Sequence, residues 1–357
     1  MSKSPLRPLP ALDERQREIL AAVIRDYILS AQPVASNALV QRYGLRVSSA
    51  TVRSELAVLE EAGLLMHPHT SAGRVPTDLG YRYFIESLMS SAELGADERV
   101  TVSHQFQQAQ HDLADWLRLA ASTLARLSAS AAIVTPPAAE RAGVRHVEVV
   151  PIQEQRALLI GVLDGGAVRQ QLLDLDRTVS TEELRRVSAR LTDVLAGATS
   201  ARVRELAALE RGVGVDVAAA VARLLEEYDG GRATEIYYDG VQNIIAQPEF
   251  ARNERVRGLL GLLEDRTRLA AVLPASIEED DILVAIGSEH QLEPLKGCSL
   301  VFGRYGAGTP FIGLVGIVGP TRMDYARSIG AVRYVGALMS DLLRVVEGTW
   351  IGQAKHE

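Results

Sequence analysis

One cysteine, Cys298, stands in a chain of 357 residues, and a single thiol cannot close an internal disulfide. That scarcity fits a reducing compartment. The apolar run Cys298-Ser299-Leu300-Val301-Phe302 reads as the setting of a buried small side chain rather than of a nucleophile. Long apolar runs are missing too: nothing approaches the roughly 20 residues that cross a bilayer, so no membrane association is expected. Residues 1–10 hold two basic residues and three prolines but no apolar segment, which excludes a signal peptide and leaves a cytoplasmic location. Also missing are a P-loop, a GxGxxG ahead of a helix, a GxSxG, an HExxH and any cysteine cluster. The glycines of 303–308 and 313–319 read as hairpin turns and bulges. Glu289-His290 is an adjacent acid/base pair in a loop, where such a histidine is ordinarily solvated. His67 and His69 have no Cys or carboxylate at ligand spacing nearby. The expectation is therefore no catalytic site, no metal and no cofactor.

What is present is ordinary for a globular protein, with 47% hydrophobic and 23% charged residues. The length implies two or three domains. Net charge is −7, unevenly spread: residues 1–90 carry 10 Lys/Arg against 9 Asp/Glu, and the remainder 28 against 36. An acidic body repels phosphate, so any contact with nucleic acid belongs to the first ninety residues.

There the pattern is specific. Asp13 can cap a helix reaching about Ser30, with Ile19, Leu20, Val23, Ile24, Tyr27 and Ile28 at helical spacing, and Gln32-Pro33 stops it. A short helix from Ser36 to Tyr43 ends at Gly44. Ser48 can cap a third, whose Val52, Leu56 and Leu59 share one face and which Gly63 ends. On its opposite face lie Ala50, Arg53, Ser54 and Ala57, with Ser49 and Thr51 in the first turn. Short and hydroxyl-bearing side chains let a helix sit deep in a major groove, and one arginine can donate twice to a guanine edge. Ser48 and the free N–H groups of that helix start suit phosphate. Glu60 and Glu61 fall at the far end. Leu64 to His67 and Gly73 to Val75 then read as two strands of a hairpin, a wing offering His69, Thr70, Ser71 and Arg74 to phosphate or the minor groove. A three-helix bundle with a solvated polar face is the plainer alternative. Thr77 opens a further helix through Tyr81, Tyr83, Phe84 and Leu88.

The run Val47-Ser48-Ser49-Ala50-Thr51-Val52-Arg53-Ser54-Glu55-Leu56, followed by Leu59-Glu60-Glu61-Ala62-Gly63-Leu64-Leu65, resembles the helix-turn-helix of the HrcA family, bacterial heat-inducible transcription repressors. Pro68 to Asp78 with Gly80-Tyr81-Arg82 resembles that family's wing. Tyr238-Asp239-Gly240, Asn243-Ile244, Pro248-Glu249-Phe250 and Gly316 to Tyr325 are similar as well, so the likeness spans nearly the whole chain. Val52 and Val75 stand where isoleucine is expected. The resemblance implies a homodimer that represses chaperone operons of the GroEL/GroES and DnaK type at an inverted repeat called CIRCE, kept active by the chaperonin GroEL. It also implies a GAF-like domain carrying an inserted dimerising domain.

Beyond residue 92 the periodicity predicts one connecting helix from Val100 to about Ser128. Strands are predicted near 131–135, 146–152, 157–163 and 168–173, and helices over 181–209 and 215–228. A short strand at 235–238 and a helix after Pro248 come next. Strands at 282–286, 300–305 and 311–318 and a last helix from Pro320 follow. The expected class is α+β and multidomain. Its parts are a winged helix at 1–92, a GAF-like domain at 93–177 and 276–350, and a dimerisation domain inserted at 178–275. Two other readings stay open: a regulator that senses a small molecule through the GAF-like domain, and an interaction module that never touches DNA.

Overall fold

Helix α1 (Glu14–Ser30) starts where Asp13 and Gln16 cap each other reciprocally, the Gln16 N–H donating to Asp13 Oδ1 at 2.8 Å and the Asp13 N–H to Gln16 Oε1 at 3.1 Å. Its apolar stripe, Ile19, Leu20, Val23 and Ile24, is buried. Helix α2 (Ser36–Tyr43) ends at Gly44, whose φ of +61° suits a residue without a Cβ. Arg42 on α2 reaches back to the buried Asp26 of α1 at 2.7 Å. Helix α3 (Ser49–Glu61) begins at Ser48, whose Oγ accepts from the Thr51 N–H at 3.1 Å. Strands β1 (Leu65–Met66) and β2 (Val75–Pro76) pair antiparallel, Leu65 opposite Pro76 and Met66 opposite Val75. Thr77 caps α4 (Asp78–Tyr83), which runs on into a π turn at Phe84–Leu88. The computed structural model describes residues 9–68, 73–89, 93–109, 112–139, 143–164, 167–230, 236–250, 254–265, 268–269, 272–274, 277–278, 281–309 and 311–353.

The predicted connecting helix is two helices, α5 (Ala96–Gln108) and α6 (Leu113–Ser128). Asp112 accounts for the break, because its side chain accepts from the Ala114 N–H at 3.0 Å and so begins a new helix. The apolar spacing on either side does not show this, since it continues in phase through the cap. Strand β3 (Ala131–Val134) follows, every residue buried. The chain then builds a second compact unit, Pro137–Glu235 together with Pro310–Ile312. It contains β4 (Ala138–Ala139), the meander β5 (Val144–Gln153), β6 (Arg156–Leu163) and β7 (Val168–Asp174), and helices α7 (Thr181–Leu195), α8 (Ser200–Ala207) and α9 (Val213–Gly230). One face of the meander, with Val147, Val149, Leu159 and Leu173, shares a core with Leu184, Leu191, Val217, Val221 and Leu225 of the helices.

The first unit comprises Met1–Pro136, Ile236–Thr309 and Gly313–Glu357. Its later elements are β8 (Tyr237–Asp239), α10 (Val241–Ile245), α11 (Glu254–Glu264), β9 (Ile282–Ile286), β10 (Cys298–Tyr305), β11 (Phe311–Pro320) and α12 (Tyr325–Gln353). The antiparallel sheet runs β8-β3-β11-β10-β9 and shares a continuous core with α6 and α12 and with the N-terminal helices. The class is α+β, as expected. The segment that folds apart begins and ends earlier than the expected 178–275. Strands near in sequence invite assignment to one sheet, but β3 pairs with β11 while β5, β6 and β7 pair only with one another.

Within the first unit, polar contacts hold α4 against the turn after β9. Arg82 donates from Nε to Glu289 Oε1 at 3.0 Å and from Nη2 to the Val284 carbonyl at 2.8 Å, and the Ser288 N–H donates to Asp78 Oδ2 at 2.8 Å. Tyr81 and Tyr325 meet beneath them, ring centroids 5.7 Å apart. Arg322 spans Glu249, Gln247 and the Ile28 carbonyl at the end of α1.

Candidate nucleic-acid interface

The third helix divides sharply. Val52, Leu56 and Leu59 are buried, whereas Ala50, Arg53, Ser54 and Ala57 form one exposed strip and Ser49 and Thr51 are half-buried in the first turn. Ser48 is exposed, but its hydroxyl serves the fold: it caps the helix and lies 3.0 Å from Thr51 Oγ1. His69, Thr70 and Ser71 lie outside the described residues. Arg74 is described, and it turns towards the helix, with Nη2 2.8 Å from Glu60 Oε2 and only 14% of its side chain exposed.

Charge pairing sorts the remaining arginines. Arg15 lies 3.6 Å from Glu55, which also accepts from Gln16 Nε2 at 3.3 Å, so α1 neutralises that carboxylate of α3 from behind. Arg42 is held by Asp26, whose carboxylate pushes the guanidinium pKa above its ordinary value. Arg74 is held by Glu60 and Arg82 by Glu289. Among the described residues up to Met89, that leaves Arg17, Arg25, Arg46 and Arg53 without an ion pair, Arg17 turning its Nε to the Asp13 carbonyl. Arg46 is exposed in the turn leading into Ser48, and shares a shallow recess with Asp13, Glu14, Arg15 and Glu18. It was not among the residues expected from the sequence. Nothing in its spacing marks it, and only the pairing of its neighbours leaves it as a free cation beside the helix start.

The helix N-terminus adds its own N–H groups and partial positive charge. An exposed strip of short side chains, one unpaired arginine inside it, another before it and carboxylates neutralised from behind can bind a polyanion and hydrogen-bond base edges. Among the described residues no cluster of three or more His, Cys, Asp or Glu could hold a metal ion. No described helix is long and apolar enough to cross a membrane.

Comparison with known proteins follows the same line. The family described as "HrcA protein C terminal domain" matches residues 114–329. The heat-inducible transcription repressor HrcA of Roseiflexus castenholzii is 43% identical over 345 residues, covering 94% of this chain and 96% of that protein. The protein of the same name from Herpetosiphon aurantiacus is 41% identical over 353 residues, covering 97% and 98%. A crystal structure of a hypothetical protein shares the fold, with a TM-score of 0.58 at 23% identity over 93% of this chain and 98% of that one.

Proposed function

Because this chain belongs to the HrcA family of heat-inducible transcription repressors, we propose that it is a homodimer that represses chaperone operons of the GroEL/GroES and DnaK type by reading the inverted-repeat CIRCE operator, and that GroEL keeps it active. In this reading α1 to α3 with β1 and β2 are a winged helix-turn-helix, and α3 lies in the major groove. Arg53 discriminates a base, and Ala50, Ser54 and Ala57 allow close approach. Ser49, Thr51, Arg46 and the residues 69–71 of the wing meet sugar and phosphate. The sheet of the first unit is the GAF-like domain, and the inserted dimerisation domain is drawn at 137–235. GroEL dependence follows from the family resemblance. The observation that carries the DNA reading is the exposed strip of α3 backed by neutralised acids.

Dimerisation draws support from the outer face of the β5–β6–β7 meander. Register aligns Val150, Leu158 and Leu172 in one row, Glu148, Ile160 and Gln170 in the next, and His146, Val162 and Val168 in a third. Val150, Val168 and Leu172 are exposed, and Leu158, Ile160 and Val162 half-buried. The face points away from the helices of its own unit. A second copy is its natural occupant, since an inverted repeat is two-fold and an isologous contact presents one face twice.

The test is a salt-titrated binding assay on the chaperone-operon inverted repeat and on scrambled DNA of equal length. Tight binding to the repeat alone, falling linearly in log salt, is expected. Equal weak binding to both, with and without GroEL, overturns the reading in favour of an interaction module.

A further inference from the structure

A carboxylate between the helix and the strand pair of a unit read as DNA-binding invites the question of what it holds. Glu60 sits in the last turn of α3, and its two carboxylate oxygens face two different partners. Oε1 lies 2.8 Å from His67 Nδ1, just past β1, and Oε2 lies 2.8 Å from Arg74 Nη2, just before β2. An ionised carboxylate only accepts, so both partners donate. One side chain thereby grips both strands of the pair.

The strands need such a grip. Each is two residues long, and so short a hairpin has no stable orientation of its own. Its return strand is tied elsewhere as well: the Val34 N–H donates to the Arg74 carbonyl at 2.8 Å, the Arg74 N–H to the Val34 carbonyl at 2.9 Å, and Thr77 Oγ1, past the far end of β2, to the Gly63 carbonyl at 2.7 Å. Gly73 lies so close to Val34 that a Cβ would stand 2.3 Å from the carbonyl oxygen. That bridge fixes where the pair is rooted. Thr77 ties the end next to α3, and the loop end, where His67 and Arg74 stand, is joined to α3 through Glu60. Arg74 is largely covered, and its Nε has no hydrogen-bond partner among the described residues, so its side chain is committed inward and not offered to phosphate.

We propose that Glu60 is a positioning residue that sets the angle between the β1–β2 pair and α3 by holding His67 and Arg74 together, with Arg74 acting as part of this clamp rather than as a DNA contact. The proposal rests on the DNA-binding reading above. It separates from a simpler role for Glu60 as a mask on the Arg74 charge. Removing a mask frees a cation and tightens binding to every DNA, whereas removing a clamp weakens binding only where the wing must be aimed.

Glu60→Gln and Glu60→Ala are measured on the repeat, on a repeat trimmed of its outermost base pairs, and on scrambled DNA. Hydrogen exchange of the free proteins is recorded beside the binding. The glutamine keeps the shape of the side chain should the alanine variant not fold. Affinity for the full repeat is expected to fall about tenfold, the worth of one good contact. Affinity for the trimmed and scrambled duplexes should hold or rise, and amides of Leu65, Met66, Arg74 and Val75 should exchange faster while those of α3 do not. Full-repeat affinity that is unchanged, or that rises in step with scrambled DNA, overturns the clamp and leaves the DNA reading standing. A wild-type chain with no preference for the repeat brings down that reading and the clamp with it.

Discussion

The exposed strip of α3 and the outer face of the β5–β6–β7 meander are both surfaces that their own units leave uncovered, and their chemistry is opposite. The strip of α3 holds alanines, a serine and one arginine, side chains that lose little by staying in water. Taken alone it is an ordinary solvated helix face, and only its surroundings make it specific: the capped start, the turn ahead of it, the paired strands and the pairing of Glu55 and Glu60 on its own helix. The meander face is the reverse. Leu172 is 63% exposed and Val168 50%, on the rows either side of Ile160, and an apolar surface in water argues for a partner before any other fact is known. A polar face acquires meaning from its frame, and an apolar one carries it alone.

The comparison is broken most severely by placing a charge on the meander face. Ile160→Glu sits in the central row, so it should convert the proposed dimer to a monomer and reduce operator affinity on the order of 100-fold or more, since two half-sites no longer act together. Analytical ultracentrifugation with a binding titration checks both, and a dimeric variant of unchanged affinity would dismiss that face. Arg53→Ala tests the strip. It should cost about 1–3 kcal/mol and relax preference at one base position without altering the oligomer. A base-by-base substitution series on the operator reads this, and unchanged preference would remove Arg53 from the readout.

The smallest effect separates the two units by acid. Burial pushes the His290 imidazole below its ordinary pKa, whereas the one histidine of the second unit, His146, has half its side chain exposed. In the unfolded chain His290 titrates near 6.5, so that state binds more protons than the folded one and stability rises with pH. The loss therefore begins as pH falls through about 6.5 and is complete below the lower folded-state value. His290→Gln should flatten the melting profile between pH 7 and 5 by a few degrees at most. Exchange-monitored unfolding should place the effect in the first unit alone.

How much of this was legible in the sequence depended on whether the signal was local. Caps and turn residues act over three or four positions, and Asp13, Gly44, Ser48 and Thr77 stand where the sequence predicts element boundaries. The buried and exposed sides of α3 follow from one helical period. Asp112 was equally local but masked by apolar spacing that ran on through it. The extent of the second unit was not legible, because β3 and β11 find each other across more than a hundred residues and no periodicity records the choice. Nor was the partner of Arg74: periodicity places a cation in the wing, and only the geometry sets Glu60 beside it.

Arg82 and Glu289 stand 207 positions apart, and that distance is also an interval of time. A ribosome adding roughly 5–20 residues per second finishes the N-terminal helices about 10–40 s before it makes the turn on which they rest. For that interval Arg82 and Tyr81 lack the Glu289 and Tyr325 that they later meet. Each newborn copy thus passes through a stage in which its N-terminal helices exist but their seat does not, and any factor that shelters emerging chains meets it there first.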